Sequence, residues 1–331
     1  MTNQSCVFDV HQDKKILGEL LAKGGEGEVY PLWNQEDVLV KLYHSKQLEV
    51  RGVELEKKIE AMRKLARLRQ LKGVSWPLIS VYDQDQRWIG YGMYRAQGKP
   101  MFFLAHALLY KKHFPDLDRR GLVSYLIKLV QHLRALHSQG VMVGDFNLHN
   151  ILCEPGSDQV TLIDCDSYQL RIGGQHYLNP VGSADMTPKE HQGIPFCQVV
   201  RSSESEAFSL AIILFKCLLL GRHPYDIVGG EDPVTNLQRG NFAYGVGNKG
   251  IPKGAWYNIW SHMPHRMKTL FINTFTEGAD DLSKRANLDE WLEALHLYRK
   301  EMDKGWHEKA ICPSAPKPRV YRGNSQPITH F

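Results

Sequence analysis

The chain has 331 residues, 43% apolar and 23% charged, an ordinary globular balance that allows a sizeable core in one large domain or two modest ones. Its 41 Lys and Arg exceed its 36 Asp and Glu by a formal charge of +5, too small and too scattered an excess to argue for a nucleic-acid partner. Six widely spread cysteines with no CxxC pair suggest neither a zinc site nor a disulfide framework, and free thiols point to a reducing compartment.

The N-terminus, MTNQSCVFDVHQDKK, is polar and lacks the apolar run of a signal peptide. The first hundred residues read as strand-rich, with short apolar or alternating runs at Ile16 to Leu21, Glu28 to Leu32 and Val38 to Tyr43. A long charged helix follows over about Lys46 to Leu71, with Leu48, Leu55, Ile59, Met62 and Leu65 at helical spacing. Two further strands, Ile79 to Tyr82 and Trp88 to Tyr94, complete a small mixed unit. Leu122 to His137 then reads as an apolar helix closed by Gly140. Short buried strands are expected at 141–143 and 160–163, followed by a loop-rich stretch from Asp164 to about Ser203. Helices return at Ser205 to Leu220, His265 to Phe275 and Leu288 to Lys300. The most apolar stretch, Leu210 to Leu220, is interrupted by Lys216 and too short to cross a bilayer, so a cytoplasmic protein without a membrane partner is expected. The tail from Ala310, with four prolines and little periodicity, reads as a flexible extension.

Three clusters carry chemistry. Glycines in Ala22-Lys23-Gly24-Gly25-Glu26-Gly27-Glu28-Val29 let backbone N–H groups approach phosphate oxygens with no Cβ in the way. Fourteen residues after Gly27, Lys41 ends an apolar strand, where a buried ammonium calls for a paired carboxylate. Glu56 and Glu60, one turn apart on the following helix, are the two candidates for that partner. The third cluster is Gly144-Asp145-Phe146-Asn147-Leu148-His149-Asn150, with Asp164 fourteen residues after Asn150 at the end of a second apolar strand. It supplies a base and two oxygen ligands of the kind Mg²⁺ favours.

In this order, over about residues 15 to 300, the sequence resembles the eukaryotic-type protein kinases. LHSQGVMVGDFNLHNIL is similar to the family's helix and catalytic loop, and IDCDSYQ to its metal-binding strand end. Gly182 to Glu190 resembles the segment ending in Ala-Pro-Glu. Glu206 to Ala211 resembles the start of the central helix, and Arg285 stands where the family pairs an arginine with the Glu190 position. The strings GDFNLHNIL, IDCDSYQ and GRHPYD are similar to a bacterial subgroup of the triad type found in tellurite-resistance and stress operons.

The resemblance implies an α+β, bilobal protein kinase-like fold. A small β-rich N-lobe with one long helix would span 1–97, a larger and mainly helical C-lobe 98–305, and a Pro-containing flexible tail 306–331. It implies ATP and Mg²⁺, with Mn²⁺ as an alternative, and transfer to Ser or Thr of a protein substrate. The implied catalytic set is Asp145, Lys41, Asn147 and Ser183. Nucleotide contacts would come from Gly24, Gly25, Gly27, Val29, Lys41, Glu56, Glu60, Met93, Tyr94 and Arg95, with the adenine near Met93 to Gln97. Metal contacts would come from Asn150 and Asp164, with Asp166 either a further ligand or a distortion of the loop. A PP2C-type phosphatase and a von Willebrand A protein are implied partners.

Several positions depart from the family pattern: Ala22 for the first loop glycine, Val143-Gly144 before the base, Asn147 for a lysine, and Asp166 for a glycine. Losing the arginine before the base implies a loop without the usual arginine-dependent switch. These departures leave a nucleotide-binding pseudokinase scaffold as one rival reading, and related folds that phosphorylate small molecules leave a small-molecule phosphotransferase as another.

Overall fold

The computed structural model describes residues 5–244, 250–252 and 254–318. The chain is α+β. Seven strands, β1 (Cys6–Phe8), β2 (Lys14–Ile16), β3 (Ala22–Lys23), β4 (Gly27–Leu32), β5 (Gln35–Tyr43), β6 (Pro77–Tyr82) and β7 (Trp88–Tyr94), form one antiparallel sheet ordered β2-β1-β6-β7-β5-β4-β3. The expected strand over Ile16 to Leu21 is split instead. Leu17 N–H donates to Ser5 and bridges Leu32, whereas Leu21 N–H donates to Val29, so the backbone changes partners at Gly18.

Alternation along β5 orients the sheet. Val40 packs with Val7, Leu17, Leu32 and Val81 in a small cluster on one face. Leu39, Lys41 and Tyr43 point to the other face, opposite Met93 and Tyr91 of β7. That face is covered by α1 (Ser45–Arg63), whose Leu55, Ile59 and Met62 are buried. The long helix expected to Leu71 stops at Arg63. Lys64 caps it, and Ala66–Arg69 form a separate short turn, α2. Nearby, the Trp76 indole N–H donates to the Met62 carbonyl and Arg63 Nε to Leu78, which ties the helix end to the sheet.

Helices α3 (Leu109–His113), α4 (Arg119–His137), α5 (Ser203–Leu218), α6 (Pro233–Gln238), α7 (Ala255–His262), α8 (His265–Phe275) and α9 (Leu288–Asp303) build most of the remainder. Asp118 caps α4, and Ser202 and Asn287 open α5 and α9 with reciprocal capping boxes. α5 is buried along most of its length and packs against α4 and α8. Two small sheets hold the loops between: β8 (Lys99–Pro100), β10 (Ile151–Cys153) and β11 (Val160–Leu162) in one, and β9 (Val141–Met142), β12 (Gln169–Ile172) and β13 (Gln175–Tyr177) in the other. The hairpin β12–β13 lies inside the stretch read as loop. Its two-residue turn is Gly173-Gly174, both with positive φ, as the twist of a tight hairpin requires.

The tail is not free over its described part. Arg119, 3% exposed, donates to the carbonyls of Ala310, Ile311 and Leu218. Asn258 donates to Pro313, Lys317 N–H donates to Ser261 Oγ, and Ile311 is buried. The expected flexibility of 306–331 is therefore corrected through residue 317. The buried guanidinium needs those carbonyls, and they fix the chain. The rest of the tail, 319–331, lies outside the described residues.

Candidate active site

The three sequence clusters meet around one cavity of about 730 Å³. Its roof is the β3–β4 turn with Gly24, Gly25 and Gly27, together with Val29. Its back carries Lys41, its side is Met93 and 95–98, and its floor brings Asp145, Asn147, Asn150 and Asp164.

Local structure explains each position. Lys41 reaches the cavity because β5 alternates and its neighbours Val40 and Leu42 face the opposite way. Asp145 follows Gly144, whose φ of +74° and close neighbours admit no side chain: a Cβ would lie 2.5 Å from Asn179 Nδ2 and 2.7 Å from Arg201 Nε. Gly144 N–H donates to Glu206 Oε1 at 2.5 Å, and the other oxygen of that carboxylate meets His137 Nε2 at 2.7 Å. The buried Glu206 at the start of α5 thus holds the floor loop. Ile163 N–H donates to the Asn150 carbonyl, which sets Asp164 beside Asn150. Asp164 itself is left-handed (φ +60°, ψ +40°), a conformation Asp tolerates better than most side chains.

The glycines serve different ends. A Cβ on Gly27 would lie 2.3 Å from the Leu42 carbonyl oxygen, so that glycine is required by strand pairing. A Cβ on Gly25 would meet nothing within 4 Å; only a group inside the cavity would feel it.

Lys41 has a different partner from either one expected. Its Nζ donates to Asp164 Oδ1 at 2.7 Å and to both oxygens of Asp166, at 3.0 and 2.7 Å. Glu60 Oε1 instead accepts from Arg63 and from Ser80 Oγ, each at 2.5 Å. Glu56 lines a separate outer groove with Asp83, Arg87 and Trp88. Both helix glutamates are corrected as partners of Lys41: the register of α1 turns them away and presents Arg51, Leu55 and Lys58 inward. Asp166, expected as a further metal ligand or as a distortion of the loop, has both carboxylate oxygens engaged by side chains. Oδ1 also accepts from Tyr91 at 2.9 Å and Oδ2 from Tyr43 at 2.5 Å, so three donors make four hydrogen bonds to a carboxylate that is 4% exposed. Tyr94 is 56% exposed and outside the cavity lining, its carbonyl accepting from Ser75. Ser183 also lies outside the lining; Pro180 and Val181 are the nearest lining residues in sequence.

The charges are unevenly held. Burial opposes ionisation of Asp166, but Lys41 and the two phenols outweigh it and keep the carboxyl well below its usual range. Burial and the neighbouring Asp166 push Asp164 up. Asp145 is also raised, by burial first and then by Asp164. Its Oδ1 is buried with no hydrogen-bond partner among the described residues. Only Oδ1 of Asp164 is held by Lys41, its side chain is 42% exposed, and Asn150 lies beside it on the cavity floor. This set of carboxylate and amide oxygens fits a hard divalent cation.

Two residues that sequence reasoning did not single out complete the site. One is Glu206, the second of two acids at the start of a largely apolar helix. The other is Arg201, whose guanidinium donates to the Asn179 and Val181 carbonyls and whose backbone N–H is held by Gln169. It clamps the segment after Asp164 from a place where the floor loop has only Gly144. Further along, Arg285 grips Glu190 with two bonds of 2.6 and 2.7 Å.

No family model matches the chain. It is similar to Protein kinase YegI of Escherichia coli strain K12, 27% identical over 90% of this chain and 47% of that protein. The same-named protein of Escherichia coli O157:H7 is 28% identical over 87% of this chain and 45% of its own length. The chain therefore spans about half the length of the curated relatives it matches. Among the described residues no helix is long and apolar enough to cross a membrane. The likeness to these relatives supports a place for the chain in the protein-kinase-like superfamily.

Proposed function

We propose that the chain is an ATP- and Mg²⁺-dependent protein kinase that phosphorylates Ser or Thr, built as an N-lobe over 1–97 and a C-lobe over 98–305. The observation that carries this reading is the convergence of the glycine turn, Lys41, Asp145, Asn150 and Asp164 from separate elements onto one cavity. Similarity to two proteins named protein kinase supports it.

In this reading Gly24 and Gly25 leave room for the phosphates under the roof, and Lys41 donates to α- and β-phosphate oxygens. Asn150 and Asp164 would hold Mg²⁺, which when bound offsets charge on the phosphates. Asp145, which lines the cavity floor, orients the acceptor hydroxyl. As the bond from that hydroxyl oxygen to the γ-phosphorus forms and the β–γ bridging bond breaks, Asp145 takes the proton. The raised carboxyl of Asp145 suits a group that must hold that proton, if only briefly. The acceptor class rests on resemblance around Ser183. So do a role in bacterial stress signalling, cytoplasmic action, and the phosphatase and von Willebrand A partners.

Incubation with labelled ATP and Mg²⁺ tests the proposal. Transfer to the protein itself or to a general protein acceptor is expected, abolished by EDTA and reduced at least about a thousandfold in Asp145→Ala and Asp164→Ala. ATP binding without transfer to any acceptor would overturn the kinase reading in favour of a pseudokinase.

A further inference from the structure

A lysine that must hold phosphates needs a carboxylate to aim it, and α1 has none to offer. The inner face of that helix carries Lys58, 2% exposed, with its Nζ buried and without a hydrogen-bond partner among the described residues. Burial pulls that ammonium down to about 8, partly opposed by the charge of Asp166. Glu56 and Glu60 face elsewhere, as described above. A cation on this face repels Lys41 where an acid would attract it.

Asp166 stands on the other side of Lys41, held from three directions. Lys41 and Tyr43 are two residues apart on the same face of β5, and Tyr91 is directly opposite Lys41 on β7. All three donate to the Asp166 carboxylate. The carboxylate is therefore anchored to the sheet that bears the lysine. Lys41 also contacts Asp164, whose side chain is 42% exposed toward the cavity. Its ammonium can exchange that contact for a phosphate oxygen while keeping Asp166.

We propose that Asp166 is the positioning residue for Lys41, in the role the resemblance gives to a helix glutamate, so that the lysine is aimed by the sheet and the 164–166 turn and not by α1. This deepens the proposed function and rests on it. It assigns a second acid after the metal-binding aspartate to orientation of the nucleotide phosphates.

The test is calorimetric titration of the whole chain with Mg-ATP and, separately, with adenosine, which has no phosphate for Lys41 to hold. Asp166→Asn should weaken ATP binding about tenfold or more and leave adenosine affinity unchanged. In a Lys41→Met background the same substitution should weaken ATP no further, because its effect passes through the lysine. Glu56→Gln and Glu60→Gln should bind ATP within about twofold of wild type. Should Asp166→Asn fail to fold, Tyr91→Phe removes one of the four bonds and is expected to weaken ATP about threefold with adenosine unaffected.

Wild-type ATP affinity in Asp166→Asn would overturn the proposal. So would equal losses of ATP and adenosine, additive losses in the double variant, or a loss in Glu56→Gln that matches the one expected of Asp166→Asn. A wild-type chain that binds neither ligand would overturn the reading of the cavity itself, and this inference with it.

Discussion

His223 shows how much a single side chain contributes through its neutral form. It lies in the turn after α5, 6% exposed, with Nε2 against the Asp185 carbonyl at 2.7 Å and Nδ1 accepting from Tyr225 N–H at 3.2 Å. One nitrogen must donate and the other accept, so a proton added at Nδ1 breaks the Tyr225 bond. Burial, aided by Lys216, brings this imidazole down to about 4 despite the Asp185 carbonyl. Between that value and about 6.5 the unfolded chain binds a proton that the folded chain refuses, so stability rises with pH across this window. The contribution is full above about pH 6.5 and lost as pH falls to about 4, amounting to roughly 3 kcal/mol. Urea unfolding at a series of pH values should show the gap between wild type and His223→Gln widening from about pH 4 to 6.5 and then levelling. A gap that stays constant with pH would contradict this.

At the scale of an element, the glycine turn between β3 and β4 separates structural from ligand-facing roles. Gly27→Ala places a methyl against the Leu42 carbonyl in a paired strand and should cost about 1–3 kcal/mol in thermal unfolding. Gly25→Ala meets open space, so its melting temperature should match wild type or rise slightly. Its Mg-ATP affinity should nonetheless fall, because the added methyl faces the cavity. Unchanged ATP binding in Gly25→Ala would separate this turn from the phosphates. A similar division runs along α1. Its apolar spacing identified the buried Leu55, Ile59 and Met62, but periodicity does not say which of two acids one turn apart looks inward. Rotation of the helix against the sheet decided it, and the answer was neither.

At the scale of the molecule, the segment 309–317 lies along α4 and α7 and closes the base of the helical part. Truncation after Glu308 removes Ile311 and two of the three carbonyls that hold the buried Arg119 guanidinium. A loss of about 2–4 kcal/mol in urea unfolding is expected, relative to a chain cut after Pro318. Equal midpoints for the two truncations would show the segment to be dispensable.

The α+β class and the approximate place of most strands and helices were legible in the sequence, because alternation and helical spacing are local properties. So was the ordered set Lys41, Asp145, Asn150 and Asp164, whose residue types already limit the chemistry. Even the β12–β13 hairpin had its Gly-Gly signal, overlooked among the loop residues around it. The partner of Lys41 had no such signal. Asp164 and Asp166 are 123 and 125 residues away from it, and Tyr43 and Tyr91 become carboxylate donors only when two strands align. Pairing between distant groups depends on strand register, helix rotation and burial, which raise the cost of every unmet charge until one arrangement satisfies them. Residue types and their order are written locally; the contacts that tune them were decided only by the folded chain.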